Sequence, residues 1–286
     1  MAITTAADLA AGAVAMVGEA RFTIEHQAVF TNTVVHMKMG QGEKSIYIPK
    51  FGTVTAEDLT DGVDMTNSQT MTMTGTTHTT DEAGCKVIVT KRTRNQLKAN
   101  AFRAAGKVIG NAMQKKIDSD GLALYSGLDS GLSNANTPFS IGYFAAAVTQ
   151  CIGQSEPAPK PMSCVAHPYL LHPLIDAISY PSANYPMPEG FQLAVLKEHF
   201  IGIDKLYGVP IFRDANATID VNSDSYGAIY SKAAFIYVTG YEIENWVMYD
   251  DSLRGWEIGI VHDYAMVEED GAYGRYLLFD ATAPTS

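Results

Sequence analysis

Between Lys86 and Lys116 the chain carries nine Lys or Arg and no Asp or Glu, inside a protein whose formal net charge is -11. Placed at 100° per residue, Ala101, Ala105, Val108, Ile109 and Ala112 share one face, with Leu97 and Phe102 flanking it. Arg92, Gln96, Asn100, Arg103, Lys107, Asn111 and Gln114 fall on the opposite face. The pattern predicts a helix over 91–117, about 27 residues and about 40 Å long at 1.5 Å per residue. Asp118 to Gly121 supplies turn and capping chemistry to end it. That length is more than a compact domain usually spans.

An acid-free polar stripe permits three readings: a solvated face, a nucleic-acid contact, or pairing with another subunit. A helix that reads bases brings aromatic or base-reading partners, and this face offers only Gln and Asn. Counter-charge does stand nearby. Glu57 to Asp64 reads EDLTDGVD, with Glu57, Asp58, Asp61 and Asp64, no base, and an Asp61-Gly62 turn signal.

The acidic cluster sits in a β-patterned arm. Ser45 to Phe51 alternates apolar and polar residues, and Pro49 places it at a sheet edge. A Thr-rich run from Thr66 to Thr80 sets Met71 and Met73 between threonines. Thr suits strands, but this run has little to bury, and a two-stranded arm is not stable alone in water. The arm, Met37 to Thr80, therefore needs a surface to lie on. Pairing with the basic helix of a neighbouring copy would set register more than add stability, since surface ion pairs contribute about 0–1 kcal/mol each.

The rest of the chain alternates helix and strand signals before turning β-rich. Lys86–Thr90 reads as a strand entering a core. Ile141–Cys151 reads as a helix, Met162–Ala166 as a short buried strand, and His167-Pro168 as the opening of a helix through Ile178. Phe191–Phe200 reads as helical, as does a segment around Ala6 to Val17 in an Ala/Gly-rich N-terminus. Leu206–Phe212, Ala228–Tyr230, Ala233–Val238, Glu242–Tyr249, Trp256–Val267 and Arg275–Phe279 read as strands, and Pro181 to Glu189 as a loop.

Charged residues make up only 18% of the chain, below the roughly 25% usual for a soluble domain, which suits a protein that hides surface against copies of itself. Residues 121–286 hold 7 basic and 19 acidic side chains, a balance that repels phosphate and argues against ordinary nucleic-acid binding there. Three cysteines without a C-x-x-C pair point to reduced synthesis in a cytoplasm. The apolar run Ala10–Val17 is too short to span a bilayer, and no membrane partner is expected.

A search for chemistry returns little. Gly40–Ser45 resembles a phosphate loop only in composition. Cys151, Cys164, His167 and His172 match no zinc spacing, and Asp118 with Asp120 lacks the bidentate Glu of a calcium loop. No cofactor, metal or catalytic set is expected. The alternatives are an α/β enzyme using the Cys164–His172 region, and a trimeric tail or fibre protein suggested by the Thr-rich strands.

FGTVTAEDLTDGVD (Phe51–Asp64), AFRAAGKVIGNAMQKKID (Ala101–Asp118), MSCVAHPYLLHPL (Met162–Leu174), LYGVPIFRDAN (Leu206–Asn216) and GAIYSKAAFIYV (Gly227–Val238) together resemble the major capsid protein of tailed double-stranded DNA phages, the Hong Kong 97-type fold. The likeness is one of element order along nearly the whole chain. It implies an α+β fold with an N-arm (1–34), an extended loop (35–82), a peripheral domain (83–135 and 235–268) around a spine helix at 91–117, and an axial α/β domain (136–234 and 269–286). It implies hexamers and pentamers closing an icosahedral shell around packaged DNA, which would meet the protein only through non-specific interior contact. A portal, decoration proteins and a separate scaffolding protein are the implied partners. Some members join Lys to Asn between subunits; Lys38, Lys44 and Lys50 lie in the arm but match no such pattern.

Overall fold

The computed structural model describes residues 28–40, 42–66, 68–97, 100–179 and 205–285. Side chains at 96, 97, 100–104, 177–179 and 205 are not described. The helices expected near Ala6–Val17 and Phe191–Phe200, and the loop at Pro181–Glu189, lie outside the described residues.

Two mixed sheets and a projecting hairpin make up the described β-structure. A helical turn at Phe30–Thr33 leads into β1 (Val35–Lys38). The hairpin follows, as β2 (Ser45–Phe51) and β3 (Met73–Thr79), and β4 (Asp81–Thr90) runs back to the body. After helices at Lys91–Leu97 and Asn100–Ala123 come β5 (Gly131–Ser133) and a helix at Ile141–Gly153. Next are β6 (Met162–Ala166), a helix at Pro168–Ser179, β7 (Lys205–Leu206) and β8 (Val209–Arg213). The chain closes with β9 (Asp224–Ser231), β10 (Phe235–Asp250), β11 (Gly255–Glu268) and β12 (Gly274–Asp280).

The first sheet has strand order β1-β10-β11-β4. Its length comes from the β10–β11 hairpin. The sequence pattern splits β10 at Thr239–Tyr241, but the strand continues through register shifts there and at Tyr241/Glu244. A bulge lets a strand bend without ending. The long helix lies across this sheet and buries a stripe at four-residue spacing: Ile109, Met113 and Ile117. Ile109 packs with Val89 and Ile258, while Met113 and Ile117 pack with Tyr264. Val108, assigned to the apolar face by periodicity, is exposed. A shift of the stripe toward Met113 leaves it outside.

The second sheet has order β5-β12-β9-β6-β8-β7. Its central strand β6 is buried along its whole length, and its side chains alternate between two cores as a two-residue period requires. Met162, Cys164 and Ala166 face the core built with the helices Ile141–Gly153 and Pro168–Ser179, which includes Phe144, Leu170, Leu171, Leu174 and Phe279. Val165 faces the other way, into a core with Phe30, Tyr125, Ala228, Tyr230 and Phe235. This second core joins the sheet to the C-terminal end of the long helix.

Several expectations are corrected. The long helix runs to Ala123 rather than stopping at Asp118–Gly121, because Asp118 is a buried acceptor and not a cap. Val35–Lys38, grouped with the extended loop, pairs in parallel with Ile236–Thr239 and belongs to the first sheet. Asp81 and Glu82 likewise begin β4. Gly131–Ser133, not marked as a strand by the sequence pattern, pairs with Tyr276–Leu278 in the second sheet. Leu206–Phe212, read as one strand, contains a turn. Tyr207 and Gly208 both have positive φ and reverse the chain between β7 and β8, as a tight hairpin turn demands.

Candidate functional site

The arm is fastened at its base and exposed beyond it. Every residue of β2 pairs with β3, from Ser45 opposite Thr79 to Phe51 opposite Met73. On the body-facing side, Ile46 and Ile48 pack against the cluster of Met39, Ile236 and Val238. Lys50 Nζ reaches Asp270 at 2.5 Å and Glu156 at 3.0 Å. Hydrogen bonds to those two carboxylates raise its pKa, and it stays charged. His78 lies 3.7 Å from Glu269. The base of the arm thus rests on its own chain.

Past Phe51 the described residues through Gly75 are exposed. Gly52 N–H donates to Thr72 O, and the Gln69 side chain brackets Thr55 with its amide oxygen on the Thr55 N–H and its amide nitrogen on Thr55 O. The tip turns at Thr60–Val63, where Gly62 takes φ 75°, a conformation that Gly adopts without a Cβ clash. Tyr47, Phe51, Val54, Leu59, Val63, Met65, Met71 and Met73 are between 49% and 68% exposed along this arm. Single exposed apolar residues are ordinary; eight on one slender projection are not.

Glu57, Asp58, Asp61 and Asp64 are all exposed around the tip. On the long helix and the turn before it, Arg92 and Lys107 are exposed, and the Arg103 side chain lies outside the described residues. The basic stretch is not one uniform face. Lys86 pairs with Glu257 at 3.0 Å, the Arg94 guanidinium sits 4.3 Å from the Trp256 ring centroid, and Lys116 pairs with Asp120. Lys91 N–H donates to Arg254 O and ties the helical segment to the β10–β11 turn. Sequence spacing could not reveal that Trp256 and Glu257 of a distant strand neutralise part of the stripe.

A further exposed apolar surface was missed from sequence. Among the described residues β1 covers β10 only at Ile236–Thr239, and beyond it Ile243, Val247, Met248 and Tyr249 are 44% to 64% exposed. The alternation of Glu242 to Tyr249 signalled a strand but not that it would be an edge.

The Cys164–His172 region does not assemble into a reactive site. Cys164 is fully buried on β6, and burial pushes its thiol up to about 12, away from the thiolate a nucleophile needs. Cys151 is buried as well, with its thiol at 3.8 Å from Ile229 O. His167 Nδ1 accepts the Tyr169 N–H at the start of the Pro168–Ser179 helix, whereas His172 is exposed. Among the described residues no group of three or more His, Cys, Asp or Glu could hold a metal ion, and no helix is long and apolar enough to cross a membrane.

No protein-family model and no curated protein matches this sequence. Solved structures do match. The acid-stable capsid of Helicobacter pylori bacteriophage KHP30 superposes with a TM-score of 0.70 at 10% identity, covering 93% of this chain and 95% of that one. The capsid of the cyanophage P-SCSP1u gives 0.68 at 10% identity, with 93% and 92% covered. The mature capsid of bacteriophage PhiM1 gives 0.68 at 11% identity, with 93% and 91% covered. The chain has the fold of these phage capsid structures. The mixed α+β class follows with it, and the likeness takes in both sheets rather than one unit, since it spans over nine-tenths of the chain.

Proposed function

We propose that this chain is the major capsid protein of a tailed phage, a virion component that closes hexamers and pentamers into an icosahedral head around double-stranded DNA. The observation that carries the reading is the arm: a projecting hairpin with eight exposed apolar side chains and an acidic tip, on a fold otherwise found in capsids. In this reading the first sheet and the long helix form the peripheral unit, and the second sheet forms the axial unit. The arm lies on a neighbouring subunit, where Glu57, Asp58, Asp61 and Asp64 meet the basic face marked by Arg92, Arg103 and Lys107. Its role is structural rather than catalytic. Scaffolding, portal and decoration proteins are the expected partners, and DNA is met only through its backbone.

Magnitudes divide the labour. Burying eight side chains of this size contributes on the order of 10–20 kcal/mol gross, against an association cost of about 4–15 kcal/mol. One arm contact is therefore marginal, and a shell holds because each subunit makes several. The charges select register, at about 0–1 kcal/mol per pair. Replacing Glu57, Asp58 and Asp61 together by Lys should leave the thermal unfolding of the unassembled subunit unchanged while cutting particle yield, counted by negative-stain microscopy. Particles at parental yield would remove the charge-pairing part of this reading. Smooth fibres or discrete trimers in place of closed shells would remove the capsid reading itself.

A further inference from the structure

Where the long helix, the Val29–Phe30 entry segment and the second sheet meet, two carboxyl groups are buried together. Asp118 and Asp214 are 0% and 1% exposed. We propose that Asp118 and Asp214 share one proton in the folded chain, and that this carboxylic acid–carboxylate hydrogen bond is a pH-operated fastener joining the long helix, the entry segment and the β8–β9 connection.

The donors distinguish the two groups. Asp118 Oδ1 accepts the backbone N–H of Val29 and of Phe30, each at 3.0 Å, and Asp118 Oδ2 accepts the Asn216 side-chain amide at 2.9 Å. Three donors thus occupy the Asp118 carboxyl. Asp214 is served differently. Its Oδ1 accepts the Asn216 N–H at 2.9 Å, but its buried Oδ2 has no donor among the described residues. Asn216 binds both carboxyls, Asp214 through its backbone N–H and Asp118 through its side-chain amide, which brings the two together, and Asp118 acts on Asp214 as a hydrogen-bond partner. Two acceptors in contact need a proton between them, and the orphaned Oδ2 is where an O–H would sit, donating to Asp118. Losing that proton to solvent leaves two carboxylates in one buried site, which is costly.

Among the described residues no cation is paired with them. The groups acting most strongly on Asp214 are Asp118 and the Asn216 and Val29 amides. The other titratable groups acting on the pair are Tyr125 and Tyr230, each held neutral by burial. The Asn216 amide turns its N–H toward Asp118, and its buried Oδ1, like Asp214 Oδ2, has no partner among the described residues, so the experiment must separate a proton from a cation. Burial first, then the Asp118 hydrogen bond, push Asp214 up to about 7. The sign follows. With the folded pKa above the unfolded value of 3.8, the folded state binds the extra proton between about pH 4 and 7. Stability from this group is full below pH 4, falls as pH rises to 7, and is flat above. His262 acts oppositely: burial lowers its pKa, so its contribution is lost as pH falls below its ordinary value. The Asp214 effect must be read as a difference between variants.

The experiment compares thermal unfolding of the full chain and Asp214→Asn from pH 4 to 9, with and without chelator, magnesium and calcium. The Tm of the variant minus that of the parent should climb between pH 4 and 7 and then level. A difference that stays flat over that range overturns the proposal. So does a Tm raised by either metal in the parent and not in the variant, which would put a cation in the site. Infrared spectra give a second readout: the parent at pH 6 should show a protonated-acid carbonyl band that Asp214→Asn abolishes. Absence of the band in the parent, or its persistence unchanged in the variant, overturns the shared proton. If Asp214→Asn does not fold, Asp118→Asn serves, since its amide would donate to an ionised Asp214 and remove the same band.

Discussion

Gly121 shows how one side chain that is absent determines where a helix can lie. A Cβ there would stand 2.2 Å from Phe30 Cδ1, and Phe30 is fully buried among Tyr125, Tyr230 and Phe235. The close approach lets the long helix press on the entry segment whose N–H groups Asp118 holds. Two other glycines of the same helix, Gly106 and Gly110, have open space where a Cβ would go. Ala is better than Gly in a helix by about 1 kcal/mol, so Gly110→Ala should raise the denaturant midpoint of the unassembled subunit by up to about that amount. Gly121→Ala carries the same propensity gain and loses more to overpacking, about 1–3 kcal/mol, and should lower the midpoint. If both variants shift the same way, the packing account of Gly121 is wrong. None of this was legible in the sequence, where Asp118–Gly121 reads as a helix stop. Asp and Gly favour turns for local reasons, and here tertiary contacts from residues 29, 30 and 216 override the local preference.

At the scale of elements, the period of a strand or helix could be read from sequence, whereas its neighbours could not. The buried run of β6, the long helix and the alternation of β2 follow from spacing alone, because burial on one face or two imposes the period. That β1 would join β10, or that Arg94 would lie on Trp256, depends on chain segments more than 150 residues apart meeting in space. The arm illustrates the difference. Its Thr-rich strand was legible, but its fastening to the second unit through Lys50 was not, since Glu156 and Asp270 sit far along the chain. Lys50 is partly exposed, so solvent screens the pair and its worth is on the order of 1 kcal/mol. Lys50→Met should therefore change global unfolding little. It should speed amide exchange of β2 and β3 by about fivefold, the factor for that energy when the hairpin opens locally. Exchange that is unchanged there would mean Ile46 and Ile48 alone fix the base.

For the whole molecule the question is whether the arm serves the subunit or the assembly. The described chain buries two cores and the helix–sheet interface without using anything between Phe51 and Gly75. Removing the tip should then cost the subunit nothing. The geometry allows a clean excision: Phe51 faces Met73 in register, and Gly52 N–H already bonds Thr72 O. Replacing Thr53–Met71 with Asn-Gly closes the hairpin on a two-residue turn of favoured type. The shortened chain should unfold at the parental Tm within about 1 °C, because a ΔΔG of 1 kcal/mol moves a chain of this size by roughly 2–4 °C and less than that is expected. It should also lose five of the eight exposed apolar side chains, Val54, Leu59, Val63, Met65 and Met71, and with them most of the area available to a neighbour. At about 1.5–3 kcal/mol each, their loss is of the same order as the margin left after association costs, so under the proposed capsid reading sedimentation should find small species in place of particles. A lower Tm would show that the tip folds back on its own body, while parental particles from the shortened chain would show that the β10 edge, and not the arm, holds the neighbours together.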